Sequence, residues 1–178
     1  MGLFEMVLRR CQLIICTDAG ADPEYQFADI GNAVRKVRID LGIPIEFDSM
    51  PIHRQRTPRD HDGRYCCLGR IRYSYVDGSD APDGILICFK PVLLGSEPQD
   101  ILNYARENKA FPQEPTLDQF FGESQFESYR RLGEFAVETV FGNEPPGASI
   151  SWARWAVEHV SNHLGVDTPA DARPRSVT

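Results

Sequence analysis

The run Leu13-Ile14-Ile15-Cys16-Thr17, five apolar or β-branched residues halted by Asp18-Ala19-Gly20, most constrains what this chain can fold into. It is too short for a helix and too apolar for a strand with one wet face. It therefore predicts a strand buried on both faces inside a mainly parallel sheet. Downstream, Asp29 is placed to cap a helix with Ile30, Val34, Val37 and Leu41 on one stripe, Arg35, Lys36 and Arg38 off it, and Gly42 as the stop. A strand, a loop and a helix in that order define an α/β fold.

The flanking segments extend the reading. Leu3 to Arg10 has helical spacing with no capping residue before it, and Pro44 to Phe47 is a short extended piece. Tyr65 to Tyr75 and Gly84 to Val92 are rich in β-branched and aromatic residues. The Asp77 to Gly84 turn between them is too short for a crossover helix, so the two should pair antiparallel as a hairpin. Ser96-Glu97-Pro98-Gln99 and Thr116-Leu117-Asp118-Gln119 both have capping-box spacing, the first leading into Ile101 to Asn108 and the second into a long helix towards Phe141. A last helix runs from Trp152 to Leu164, after Ser149 or Ser151 and before Gly165. Residues 1–165 thus form the folded part and 166–178 a fraying tail. The helices should pack around the sheet and bury Phe121, Leu132, Phe135 and Trp155.

Composition narrows the function classes. A chain of 178 residues with 42% hydrophobic content builds one core without metal or disulfide staples. Its formal charge of -7 argues against a phosphate backbone, so no nucleic-acid partner is expected. The basic residues Arg54, Arg56, Arg59 and Arg64 cluster near His53, but Pro58, Asp60 and Asp62 intervene, and a solvated loop is favoured over an anion site. Five cysteines, of which Cys11, Cys16 and Cys88 lie in apolar runs, fit a reduced, cytoplasmic protein. Cys66 and Cys67 are adjacent and fall on opposite faces of a strand, so neither a structural zinc nor any other cofactor is expected. No apolar run is long enough to span a membrane.

An acyl hydrolase of the α/β type needs its nucleophile on a strained strand-to-helix turn flanked by glycines, and G-x-S-x-G does not occur. The nearest approach, Gly122-Glu123-Ser124-Gln125-Phe126, lies in an expected helix, where Ser124 is a polar flank residue. Gly31, Gly42 and Gly69 are isolated and make no phosphate loop. His159 and His163 are four apart on the last helix, which fits a solvated face better than a metal pair without a carboxylate ligand. Asp18 keeps two readings. It follows a strand at the end where α/β sheets bind ligands, so it could line a cleft; equally, Asp opens turns with a glycine two residues on.

The run Gly2-Leu3-Phe4-Glu5-Met6-Val7-Leu8-Arg9-Arg10-Cys11, with Asp18-Ala19-Gly20-Ala21-Asp22-Pro23 after the apolar strand, resembles the segment following the D-G-G motif in bacterial patatin-like phospholipases. Further blocks of resemblance follow in order at Gly31 to Asp40, Gly69 to Tyr73, Asp100 to Ala105, Phe111-Pro112, and Asp118 to Arg130. Together they extend to about Phe141. The resemblance implies a partial patatin-like sheet and a parent lipid acyl hydrolase with a Ser-Asp dyad, the Ser in G-x-S-x-G and the Asp in D-G-G. Neither residue maps onto this chain, because Asp77-Gly78 and Asp83-Gly84 fall in the hairpin turn, so no catalytic residue is assigned.

By that resemblance the chain begins within the helix after the catalytic Asp and is inactive alone. It then needs the N-terminal half of the enzyme or self-association to cover its sheet edge, while a lipid or acyl ester is the ligand of the intact parent. The alternative is a non-catalytic interaction or regulatory module derived from the same fold. A metal hydrolase built on His159 and His163 ranks third.

Overall fold

The computed structural model describes residues 2–55, 62–115, 117, 120–142 and 151–169. In chain order these form α1 (Gly2–Leu8), β1 (Leu13–Thr17), α2 (Ala28–Leu41), β2 (Ile45–Phe47), β3 (Cys66–Ile71), α3 (Ser74–Asp77), β4 (Gly84–Phe89), α4 (Gln99–Glu107), α5 (Glu123–Phe141) and α6 (Trp152–Leu164). The strands make one mixed sheet in the order β1-β4-β3-β2. β1 runs parallel to β4 with Cys16 opposite Cys88, and β3 runs antiparallel to both β4 and β2. The fold is α/β.

Both faces of the sheet are covered. Val7 of α1 and Val37 of α2 pack with Ile14, Ile45, Ile71 and Leu86 on one face. On the other, Val157 and Val160 of α6 and Val140 of α5 meet Ile85, Ile87 and Phe89. All six residues of β4 are buried, because it lies between β1 and β3 and its alternating side chains point into both cores. A third cluster, Leu93, Ile101, Phe111 and Leu132, joins α4 to α5 beside the sheet.

Several expectations are corrected. The strand buried on both faces is β4, and β1 is an edge strand with Ile15 52% exposed. The helix after β1 is not capped by Asp29, which lies in its first turn; Asp22 instead accepts hydrogen bonds from the Gln26 and Phe27 amides at 2.9 and 2.8 Å. Helix α1 stops at Leu8 because Arg10 turns left-handed, with φ 58°. The hairpin connection starts earlier than expected, as Ser74–Asp77 form a helical turn.

In the capping-box segments, α4 begins after Pro98 without a side-chain cap. Helix α5 begins at Glu123 rather than near Thr116, with Phe120 and Phe121 in irregular chain before it. Phe121 is accordingly 56% exposed, whereas Leu132 is buried and Phe135 and Trp155 are half-buried. Thr116, Asp118, Gln119 and Ser149 lie outside the described residues, as do Arg56, Pro58, Arg59, Asp60 and the tail beyond residue 169.

Candidate functional site

The parallel pair β1 and β4 delivers Asp18 and Lys90 side by side, each the first residue past its strand. The Asp18 amide continues the ladder by donating to the Phe89 carbonyl at 2.8 Å. Lys90 is only 3% exposed, and its ammonium donates to Asp18 Oδ2 and the Gly20 carbonyl, both at 3.0 Å, with Asp22 Oδ2 at 4.0 Å. A lysine so buried needs this set of acceptors, because an unpaired ammonium in the interior is strongly disfavoured.

The loop that carries those acceptors is itself fixed. Asp18 Oδ1 accepts from the Gly20 amide at 3.1 Å, an Asx turn. A Cβ on Gly20 would lie 2.7 Å from Asp29 Oδ2 and 3.3 Å from Asp18 Oδ1, so a side chain there would push both carboxylates aside. The buried Gln113 closes the far side, accepting from the Asp22 amide at 2.9 Å and donating to the Pro91 carbonyl at 2.7 Å. Tyr25 donates to the same carbonyl at 3.4 Å, and burial pushes its hydroxyl up to about 12. Asp18 thus stands at the carboxyl end of β1 with its carboxylate shared between a turn amide and a buried cation. Its described contacts are those of a residue holding a loop to the sheet.

A second polar cluster lies across β3. The Tyr65 hydroxyl donates at 2.8 Å to Glu97, a carboxylate 3% exposed that also accepts from the Leu94 amide at 2.6 Å and the Gly95 amide at 2.8 Å. Burial, then the neighbouring Glu97 charge, raises the Tyr65 hydroxyl above its ordinary range. The imidazole of His163 stacks on Tyr65 with ring centroids 6.5 Å apart, beside a cavity of about 260 Å³ that Arg64, Ser96 and Thr139 also line. Among the described residues His163 Nε2 and Ser161 Oγ are buried without a hydrogen-bond partner. Burial, with the Arg64 charge adding to it, lowers the His163 pKa.

The thiols form a row across the sheet: Cys16 Sγ lies 2.7 Å from Cys88 Sγ, and Cys67 is the residue opposite Cys88 on its other side. Contact with both neighbours and burial raise the Cys88 thiol, while its hydrogen bond lowers Cys16. Burial pushes Cys66 up to about 12. All five cysteines are free.

The remaining sequence candidates are dispersed. Ser124 sits exposed in the first turn of α5, on a cleft of about 330 Å³ that Asp100, Glu107 and Glu127 also line, with no histidine among its described lining residues. His159 turns back to the Trp155 carbonyl at 2.9 Å, away from His163 on Tyr65. Among the described residues no group of three or more His, Cys, Asp or Glu is placed to hold a metal ion. Asp77 pairs with Arg10, and Asp83 with Arg72 at 2.8 Å, so both pin the β3–β4 connection.

Sequence reasoning passed over Lys90, Glu97 and Gln113. Lys90 did carry a signal, as the one charge inside the apolar run Gly84 to Val92. Glu97 was hidden inside an apparent capping box.

Comparison with protein-family models, curated proteins and solved structures finds no match to this chain. No described helix is long and apolar enough to cross a membrane.

Proposed function

We propose that this chain is a scaffold portion of a patatin-type lipid acyl hydrolase, acting in the cytoplasm and supplying a wall of the cleft rather than the nucleophile. The observation that carries the reading is the edge strand β1. Its residues bond to β4 through Gln12 O and Asp18 N. By the alternation of a parallel ladder the Ile15 amide therefore points away from the sheet. Among the described residues no strand pairs with that edge. An apolar parallel edge next to a half-exposed Ile15 suits a further strand from the catalytic portion of such an enzyme. The colinear blocks of resemblance supply the class of that partner.

The test mixes the purified chain with a separately produced polypeptide carrying the G-x-S-x-G and D-G-G motifs of a patatin-type enzyme, using a nitrophenyl ester as substrate. The expected result is no turnover by either part alone and turnover by the pair. Ile15→Pro, which removes the outward amide and leaves the β4 ladder intact, should abolish assembly. Hydrolysis by the chain alone that disappears in Ser124→Ala, or no association between the two parts, would overturn the reading.

A further inference from the structure

We infer that the cleft beside the end of α4 is an anion site for a phosphoryl group. The cavity, about 240 Å³, lies past β4 and has three cations on its wall, Arg54, Arg106 and Lys109, and no carboxylate among its described lining residues. Leu93, Leu102 and Ala105 form its apolar part. The cations come from two distant stretches of chain, brought together where the Gln55 amide donates to the Leu93 carbonyl at 3.2 Å. Their convergence is a product of the fold and not of a basic run in the sequence.

Electrostatics makes this grouping unusual for the chain. The chain carries 26 acidic residues against 19 basic, and many of its cations sit beside a carboxylate. Arg10, Arg72, Lys90, Arg130, Arg131 and Arg154 each have one. Arg54, Arg106 and Lys109 have none among the described residues, although they crowd one concavity. Arg106, in the last turn of α4, complements the helix's negative end, but that accounts for one cation of the three.

Like charges gathered over a low-dielectric floor focus a positive potential, which a compact multivalent anion relieves best. Two arginines also offer the planar fork that matches phosphoryl oxygens, with the lysine as a point charge. The apolar floor accommodates the organic part of a phosphate ester, whether free in solution or presented as a lipid headgroup. This inference stands apart from the acyl hydrolase reading and survives its failure.

The test is an NMR titration of the isotopically labelled full chain with sodium phosphate against sodium chloride at matched ionic strength. It is joined to co-sedimentation with vesicles of phosphatidylglycerol and phosphatidylcholine, and of phosphatidylcholine alone. Saturable shifts of the amides around Leu93 and Ala105 are expected with phosphate. The combined Arg54→Gln, Arg106→Gln and Lys109→Gln variant should bind at least about tenfold more weakly, since it loses every charge-assisted contact. Arg38→Gln, which removes an exposed cation of α2 with no ion pair among the described residues, should bind as the parent does. All four substitutions are at the surface, and circular dichroism checks that the fold is kept.

Phosphate binding without vesicle binding assigns the site to a free phosphoryl compound. Binding to the anionic vesicles that the triple variant loses assigns it to a headgroup. Binding of neither probe, binding that the triple variant retains, or an equal loss in Arg38→Gln overturns the inference.

Discussion

Lys90 and Asp18, 72 positions apart in sequence, meet at 3.0 Å as the first residues beyond two parallel strands. Removing one partner strands the other in a poorly solvated place. Lys90→Met should therefore destabilise the chain by about 3 kcal/mol, and Lys90→Met with Asp18→Asn by clearly less than the sum of the single changes. Urea denaturation of the four proteins measures the difference, and strict additivity would refute the coupling.

The buried Glu97 carboxylate accepts from the buried Tyr65 hydroxyl and from two part-buried amides, those of Leu94 and Gly95. Glu97→Ala leaves three donors unsatisfied and should cost roughly 3 kcal/mol, while Tyr65→Phe, which deprives the carboxylate of one donor, should cost about 1 kcal/mol. Equal effects of the two changes in denaturant would show that the amides, not the hydroxyl, are indifferent to the carboxylate.

His163 gives the chain a pH dependence of known sign. Its folded pKa lies below the ordinary 6.5 because burial, and then Arg64, disfavour the imidazolium. The unfolded state therefore binds the proton first. The stabilisation is whole above about 6.5 and is lost as pH falls through the folded value. His163→Gln should flatten the stability profile between about pH 7 and 5 relative to the parent. Parallel profiles for the two proteins would exclude this role.

Gly84 starts β4 beneath Tyr73, and a Cβ there would lie 2.7 Å from the Tyr73 ring and 3.2 Å from the Cys11 carbonyl. The ring is itself held by its hydroxyl, which donates to that carbonyl at 2.8 Å. Gly84→Ala should cost roughly 2 kcal/mol through this crowding, and thermal unfolding reads it directly. A neutral substitution would mean that ring and carbonyl yield together.

Thiol reactivity separates the cysteines by burial. Cys11 and Cys16, half-buried, should react first with an aromatic disulfide reagent in the native protein, and Cys66, Cys67 and Cys88 only on unfolding. Denatured protein should yield all five thiols without a reductant. A shortfall restored by reduction would reveal a disulfide.

Local chemistry in the sequence announced much of this architecture. The stripe from Ile30 to Leu41 and its Gly42 stop, the antiparallel pairing of β3 with β4, and the Trp152 to Leu164 helix were legible because each depends on neighbours in sequence. The place of β1 was not. An apolar pentapeptide reads the same at an edge as in the interior, and strand order is decided by partners far along the chain. Phe121 was misplaced because capping-box spacing put the helix start several residues too early. Asp18 stood out from its position after a strand and Lys90 as a lone charge in an apolar run, but their pairing rests on the β1–β4 register, which local pattern does not carry. The cationic cleft was half visible: Arg54 belonged to a noticed basic cluster, while Arg106 and Lys109 joined it only through the packing of α4.

The sheet order also sets how the chain can assemble. β2, β3 and β4 follow one another with each pair antiparallel, so they can zip by successive short closures. Among the described residues β1 pairs with β4 alone, and the α2–β2–β3 excursion lies between the two in sequence. Closing that loop carries an entropic cost that nearby contacts do not. The β1–β4 pairing thus carries a larger closure cost than the β2–β3 or β3–β4 pairings, and among the described residues Leu13 to Thr17 have no other strand to pair with.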